Sequence, residues 1–245
     1  RRVLGGAGGR RRGRGGGEQG RGRRAGGGSA ERGAPPSSVC SPYASPYRTN
    51  HPLCQVSVAV RPGECVGVCG PVGTGKSTLL LALLGELDPM RGRVQPPAPG
   101  APVAYAPQAP WIFPGTLRDN VLLGRPFEPA WFAAVLAASA LDADLAKFPA
   151  GDLTWVGERG VTLSGGQKQR VSLARCAYAR APLAVLDDPL AALDARVRAH
   201  VLRDCVLGLM RRGGAALVVA AHDAAVLGQC DRVLAVSGGG IADVS

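Results

Sequence analysis

Gly70-Pro-Val-Gly-Thr-Gly-Lys76-Ser77 stands between an apolar run, Cys65-Val-Gly-Val-Cys69, and a stretch, Ser77 to Leu87, that is helical by composition. It fits G-x-x-x-x-G-K-[ST] in the strand, loop and helix setting that this pattern requires. Glycines let successive backbone N–H groups curl inward, and the helix start adds the positive end of its dipole, so the loop is a preformed cradle for phosphate. Gly70, Gly73, Thr74, Gly75, Lys76, Ser77 and Thr78 are assigned to it. Lys76 is expected to reach the β- and γ-phosphates of a nucleotide, and the Ser77 hydroxyl to coordinate Mg²⁺. A plain turn would need neither the lysine nor the serine.

Working outward, Leu53, Val56, Val58 and Val60 alternate with polar or small neighbours, then Arg61 to Glu64 turns the chain into the apolar run. Leu79, Leu80, Leu83 and Leu84 give the helix after the loop an apolar stripe. Val103 to Ala106 reads as a short strand. Residues 116 to 148, with Thr116 as N-cap and an Ala/Leu-rich run from Pro129 to Leu145, read as all-helical. A helix over 166–180 and a strand over 183–186 follow, then a helix at 195–211, a strand at 215–220, a short helix near 223–229 and a strand at 232–236. Strands alternating with helices predict an α/β fold with a mostly parallel sheet and a helical subdomain, about 109–165, inserted into it.

Leu183-Ala-Val-Leu-Asp187-Asp188 is an apolar strand that delivers carboxylates to the sheet edge where open α/β folds bind ligands, so Asp187 can hold Mg²⁺ directly or through water. Leu163-Ser164-Gly165-Gly166-Gln167 places a hydroxyl and two glycines at the start of a long helix, a second phosphate-facing terminus. One chain cannot use both cradles on one nucleotide.

In these motifs the chain resembles the ATP-binding cassette family, whose P-loop NTPase domains sandwich ATP between the P-loop of one domain and the signature Leu-Ser-Gly-Gly-Gln of another. Gln108, Ala191-Ala-Leu-Asp194 and His222 stand in the family's order. The resemblance spans about 53–241 and is greatest to the subfamily of multidrug-resistance-associated exporters, through Pro110-Trp-Ile-Phe-Pro-Gly-Thr-Leu-Arg-Asp-Asn120, Gly157 to Arg170 and Asp187-Asp-Pro-Leu190. It implies MgATP as cofactor, and binding by Ser164, Gly165, Gly166 and Gln167 to nucleotide on a second cassette. It also implies Ser77, Gln108 and Asp187 at the metal, and Asp188, His222 and Gln108 in catalysis. The implied partners are that second cassette and the transmembrane domains of a transporter, at the cytosolic face of a membrane, with residues 157–160 near the loops descending from the membrane domains.

Two departures from the family bear on mechanism. Most hydrolytic cassettes carry Glu where this chain has Asp188, and pulling the carboxylate back by roughly 1 Å or more lowers rates on the order of 100-fold. Slow turnover is therefore expected at this P-loop, as in the first of two cassettes in such exporters. The family's antiparallel β-layer with its adenine-stacking aromatic is expected to be incomplete, since Ser37 to Asn50 has two prolines, Pro42 and Pro46, and no strand pattern. Tyr47 is assigned to adenine, with Tyr43 as the other tyrosine nearby.

Bulk properties agree with one domain, 39–245, behind an Arg/Gly-rich tail, 1–38. Ten arginines against Glu18 and Glu31 put +8 of the +11 net charge within residues 1–33, so the rest carries +3. That tail reads as disordered, and it lacks the aromatics that RNA stacking uses, so RNA binding by it is not expected. Seven scattered cysteines read as reduced thiols of a reducing compartment. No run approaches the roughly 20 apolar residues of a membrane span. A soluble cassette ATPase and a fragment without independent activity are the alternatives. The first is disfavoured by the exporter-like wording around Trp111 and Gly157. Transmembrane helices in frame upstream or downstream would decide the second.

Overall fold

The computed structural model describes residue 53, residues 56–158 and residues 162–245. The tail, Tyr43, Tyr47 and Gly160 lie outside the described residues. In chain order the strands are β1 (Cys65–Cys69), β2 (Val103–Ala106), β3 (Gly115–Thr116), β4 (Trp155–Val156), β5 (Leu183–Asp187), β6 (Ala216–Ala220), β7 (Arg232–Ser237) and β8 (Gly240–Asp243). The α-helices are α1 (Lys76–Leu83), α2 (Leu117–Leu122), α3 (Pro129–Ala138), α4 (Asp142–Leu145), α5 (Gly165–Tyr178), α6 (Ala195–Val201) and α7 (Ala224–Leu227).

The main sheet runs β2-β5-β6-β1-β7-β8, parallel from β2 to β7, with β8 antiparallel at the edge. Both faces are covered, which is why its strands are apolar at successive positions rather than at alternate ones. Leu183, Val185, Ala216 and Val218 face α1 through Leu79 and Leu80. Ala184, Leu186, Leu217 and Val219 face the larger core built on α2, α3 and α5. This is the expected α/β architecture, with the helical block between β2 and β5 in the chain.

Thr116 caps α2 as expected: its hydroxyl accepts from the Asp119 N–H at 3.0 Å, and Asp119 accepts back from the Thr116 N–H at 3.1 Å. Other expectations need correction. The run from Pro129 to Leu145 is two helices, broken at Ala140, which turns left-handed at φ 54°. Arg170 takes the Ala140 carbonyl at 2.6 Å, holding the break open. The helix after the phosphate loop stops at Leu83, because Gly85 adopts φ 79° and closes the turn onto Ala82. The 195–211 rod changes winding from α6 to a π-helix over Leu202–Arg211, turning Cys205, Val206 and Met210 inward. The alternation from Val56 to Val60 makes no strand among the described residues: a strand needs a neighbouring ladder, and this segment is tied through the Ala59 carbonyl to Arg232 at 3.2 Å.

Candidate functional site

Strand β1 ends at Cys69 and the chain curls through Gly70 to Gly75 before α1 begins at Lys76. The curl is tight against β7. A Cβ on Gly70, at φ 145°, would sit 2.3 Å from the Val236 carbonyl oxygen, so only glycine fits. A Cβ on Gly73 would meet nothing within 4 Å, leaving that side of the loop open. Thr74 donates to the Pro71 carbonyl at 2.9 Å and braces the curl. The Lys76 ammonium lies back across the loop, donating to the carbonyls of Gly70 at 2.7 Å and Pro71 at 2.9 Å.

Parallel register brings the remaining groups to the same edge. Val68 on β1 aligns with Ala220 on β6, which aligns with Asp187 on β5, and Leu186 aligns with Ala106 on β2. Gln108 and His222 each follow their strand by two residues, so both emerge there. Asp187 is buried, and the Ser77 hydroxyl donates to its Oδ2 at 3.0 Å. Burial first, then the Asp187 carboxylate, raises the Tyr105 phenol above its ordinary value. Asp188 sits at φ 46° with its N–H donating to the Ala220 carbonyl at 2.9 Å. Gln108 and His222 are exposed, with no side-chain hydrogen bond among the described residues. His222 lines a shallow concavity together with Asp188, Leu190, Ala191, Arg198 and Asp223.

These residues fit a nucleotide with its divalent cation. The open glycine curl and the N-terminus of α1 suit phosphate, while a hydroxyl and a buried carboxylate in contact form an oxygen donor pair of the kind Mg²⁺ prefers.

Ser164 to Gln167 are not joined to the loop by any hydrogen bond among the described residues. They form a capping box: the Ser164 hydroxyl accepts from the Gln167 N–H at 3.2 Å, and Gln167 Oε1 accepts from the Ser164 N–H at 2.8 Å. Gln167 also donates to Asp144 on α4 at 3.0 Å, and Arg170 pairs with the same carboxylate at 2.8 Å. Gly166 abuts the Ala192 carbonyl, 3.1 Å from where its Cβ would be, whereas Gly165 faces open space. Asp144 and Arg170 were not singled out from sequence. Arg170, three positions after Gln167 on one helix face, was the available signal. Arg175 was missed too; it donates to the carbonyls of Asn120 at 2.8 Å and Trp111 at 3.1 Å, fixing the segment after Gln108.

Known proteins are similar to this chain in sequence. The description of the ABC transporter family matches residues 53–191. ATP-binding cassette sub-family C member 4 of Homo sapiens is 45% identical over 184 residues, 75% of this chain and 14% of that protein. ATP-binding cassette sub-family C member 10 of Homo sapiens is 45% identical over 180 residues, 74% of this chain and 12% of that protein. The probable multidrug resistance-associated protein lethal(2)03659 of Drosophila melanogaster is 39% identical over 196 residues, 80% of this chain and 14% of that protein. The chain thus spans 12–14% of the length of these relatives. Among the described residues, no helix is long and apolar enough to cross a membrane. The family match runs unbroken through the phosphate loop, Ser164 to Gln167 and Asp187-Asp188, and on that ground this chain belongs to the ABC transporter family.

Proposed function

We propose that this chain binds MgATP at Gly70 to Ser77 and serves as one of two nucleotide-binding cassettes of a solute exporter, at the cytosolic face of a membrane. Domains of this family bind ATP. The observation that carries the reading is the Ser77–Asp187 contact at 3.0 Å beside an open glycine curl, because a hydroxyl and a buried carboxylate in contact next to such a curl suit a divalent cation beside phosphate. When bound, MgATP supplies the phosphoanhydride whose binding and cleavage drive the two cassettes together and apart.

This chain's residues divide the work. Lys76 exchanges the Gly70 and Pro71 carbonyls for phosphate oxygens, a stronger charge-assisted pairing. Asp188 and His222, which line one concavity, are the residues to orient a water and take its proton, and Gln108, from the same sheet edge, is assigned to the metal and the water. Asp188 is one methylene shorter than the usual glutamate, which favours holding ATP over splitting it. Ser164 to Gln167, on an exposed helix start, serve the P-loop of the second cassette. Trp111 and Trp155, both more than half exposed, provide apolar surface for the membrane domains.

Steady-state ATPase assay at saturating MgATP tests the mechanism. Slow release of phosphate is expected. Robust hydrolysis that disappears in Asp188→Asn overturns the slow-site reading.

A further inference from the structure

Cys65 opens β1, the strand that delivers the phosphate loop, and Cys230 lies in the turn just ahead of β7. Their sulfurs are 3.6 Å apart although 165 positions separate them in the chain. The Cys65 thiol donates to Cys230 Sγ, and Cys230 in turn points at the Val226 carbonyl. The surroundings are built around the pair. A Cβ on Gly67 would lie 3.1 Å from Cys230 Sγ and 2.9 Å from Leu227 Cδ2, so the glycine leaves the space that the thiol fills. The Asp231 N–H donates to the Cys65 carbonyl at 2.8 Å, and Asp231 Oδ2 accepts from the Cys65 N–H at 2.8 Å, clasping the backbones together. Arg211 pairs with Asp231 at 2.5 Å and brings a guanidinium to the site.

We propose that Cys65 and Cys230 form a redox modification site, a dithiol that two-electron oxidants of the peroxide class convert reversibly to a disulfide. The two thiols have different parts. The hydrogen bond it accepts from Cys65 holds Cys230 below the ordinary thiol range, with Arg211 helping against burial and Asp231, so Cys230 is the attacking thiolate. Donating that bond raises Cys65, which keeps its proton. Unlike the half-buried Cys230, Cys176 and Cys205 are buried, with thiols pushed up to about 12 chiefly by burial.

Cys230 sulfur attacks one peroxide oxygen, the O–O bond breaks, and the departing hydroxide takes up a proton as water, leaving a sulfenic acid. Cys65 sulfur then attacks Cys230 sulfur, the S–O bond breaks, and hydroxide leaves with the Cys65 proton as a second water. Two thiols are oxidised by two electrons and one peroxide is reduced. The sulfurs must close from 3.6 Å to about 2.05 Å. The bond would fasten the start of β1 to the start of β7, two strands already paired from Val66 and Arg232 onward.

The full chain, carrying Cys40→Ser and Cys54→Ser, is treated with equimolar hydrogen peroxide, digested after Glu64 and at Arg residues, and mapped by fragmentation mass spectrometry. A linked Cys65–Cys230 peptide is expected, with loss of two hydrogens in mass and of two titratable thiols per chain, all reversed by dithiothreitol. Cys230→Ser should lose the cross-link while circular dichroism stays native, and Gly67→Ala should slow its formation several-fold. The proposal is overturned if no such peptide forms in the folded chain, if it forms only in urea, or if thiol loss is equal in Cys230→Ser.

Discussion

Asp188 is held by its backbone before its side chain acts. At φ 46° it occupies the left-handed region, which aspartate tolerates better than most residues, and its N–H is bound to Ala220. With the backbone pinned, carboxylate reach depends on side-chain length alone. Asp188→Glu is therefore expected to raise steady-state ATP hydrolysis by about 10- to 100-fold while ATP affinity stays within about twofold. Unchanged turnover in a folded Asp188→Glu protein would count against a length-limited site. Lys76→Ala should weaken binding of a fluorescent ATP analogue by roughly 30- to 100-fold, the loss of a charge-assisted bond to phosphate, with little change in thermal unfolding because Lys76 serves only two loop carbonyls. The curl from Gly70 to Gly75 between β1 and α1 was legible from sequence, since the motif fixes spacing and residue type together. The left-handed Asp188 was not, because it follows from where β5 ends against β6, a tertiary constraint. Tyr47 as the adenine partner lies outside the described residues, and its role stands as a proposal.

At the scale of elements, Asp144 and Arg170 join α4 to α5 just behind Ser164 and Gln167. The pair is buried, with side chains 12% and 13% exposed; Gln167 donates to Asp144 Oδ1 and Arg170 to the Ala140 carbonyl, so Asp144 Oδ2 has the Arg170 charge as its counterpart and no hydrogen bond of its own. Breaking one partner of a buried pair strands the other charge, so Arg170→Met should destabilise the domain by about 3 kcal/mol in urea. Adding Asp144→Leu should restore part of that loss. Asp223 caps α7, and the Ala225 N–H and then Arg198 hold its carboxyl below the 3.8 of a free aspartate. Its contribution is complete above that value and is lost as pH falls through the lowered folded value. Asp223→Asn should thus flatten the acid limb of a plot of unfolding midpoint against pH, below about pH 4. The buried strands were readable as unbroken apolar runs bounded by turns. Strands β3 and β4, two residues each, are too short to carry a period, and β8, Gly-Ile-Ala-Asp at the sheet edge, offers one large apolar residue and no alternation to read. The break at Ala140 was hidden because alanine and leucine suit a helix equally on both sides of it, while the Arg170 that opens it lies 30 positions away.

At the scale of the molecule, the proposed function has the chain carry the parts of two half-sites and complete neither by itself. Two copies would supply both a loop and a facing Ser164 to Gln167 to each nucleotide, and slow turnover would let the pair persist. Gly165 is the position at which to test this. Its φ is not in the left-handed region, and an added Cβ would meet no atom within 4 Å, in contrast to Gly166 against the Ala192 carbonyl. Among the described residues nothing therefore requires a glycine there. At the first turn of α5 an added carboxylate would even favour the helix dipole. Gly165→Asp should leave the unfolding midpoint level or slightly higher, and ATP affinity of the single chain unchanged, since the loop Gly70 to Ser77 is untouched. Facing the phosphates of a second chain, the same carboxylate would repel them at close range in a desolvated contact. MgATP-dependent self-association of the wild-type chain in sedimentation velocity, abolished in Gly165→Asp, is the expected result. Pairing that survives the substitution would mean that Ser164 to Gln167 do not face nucleotide across the interface.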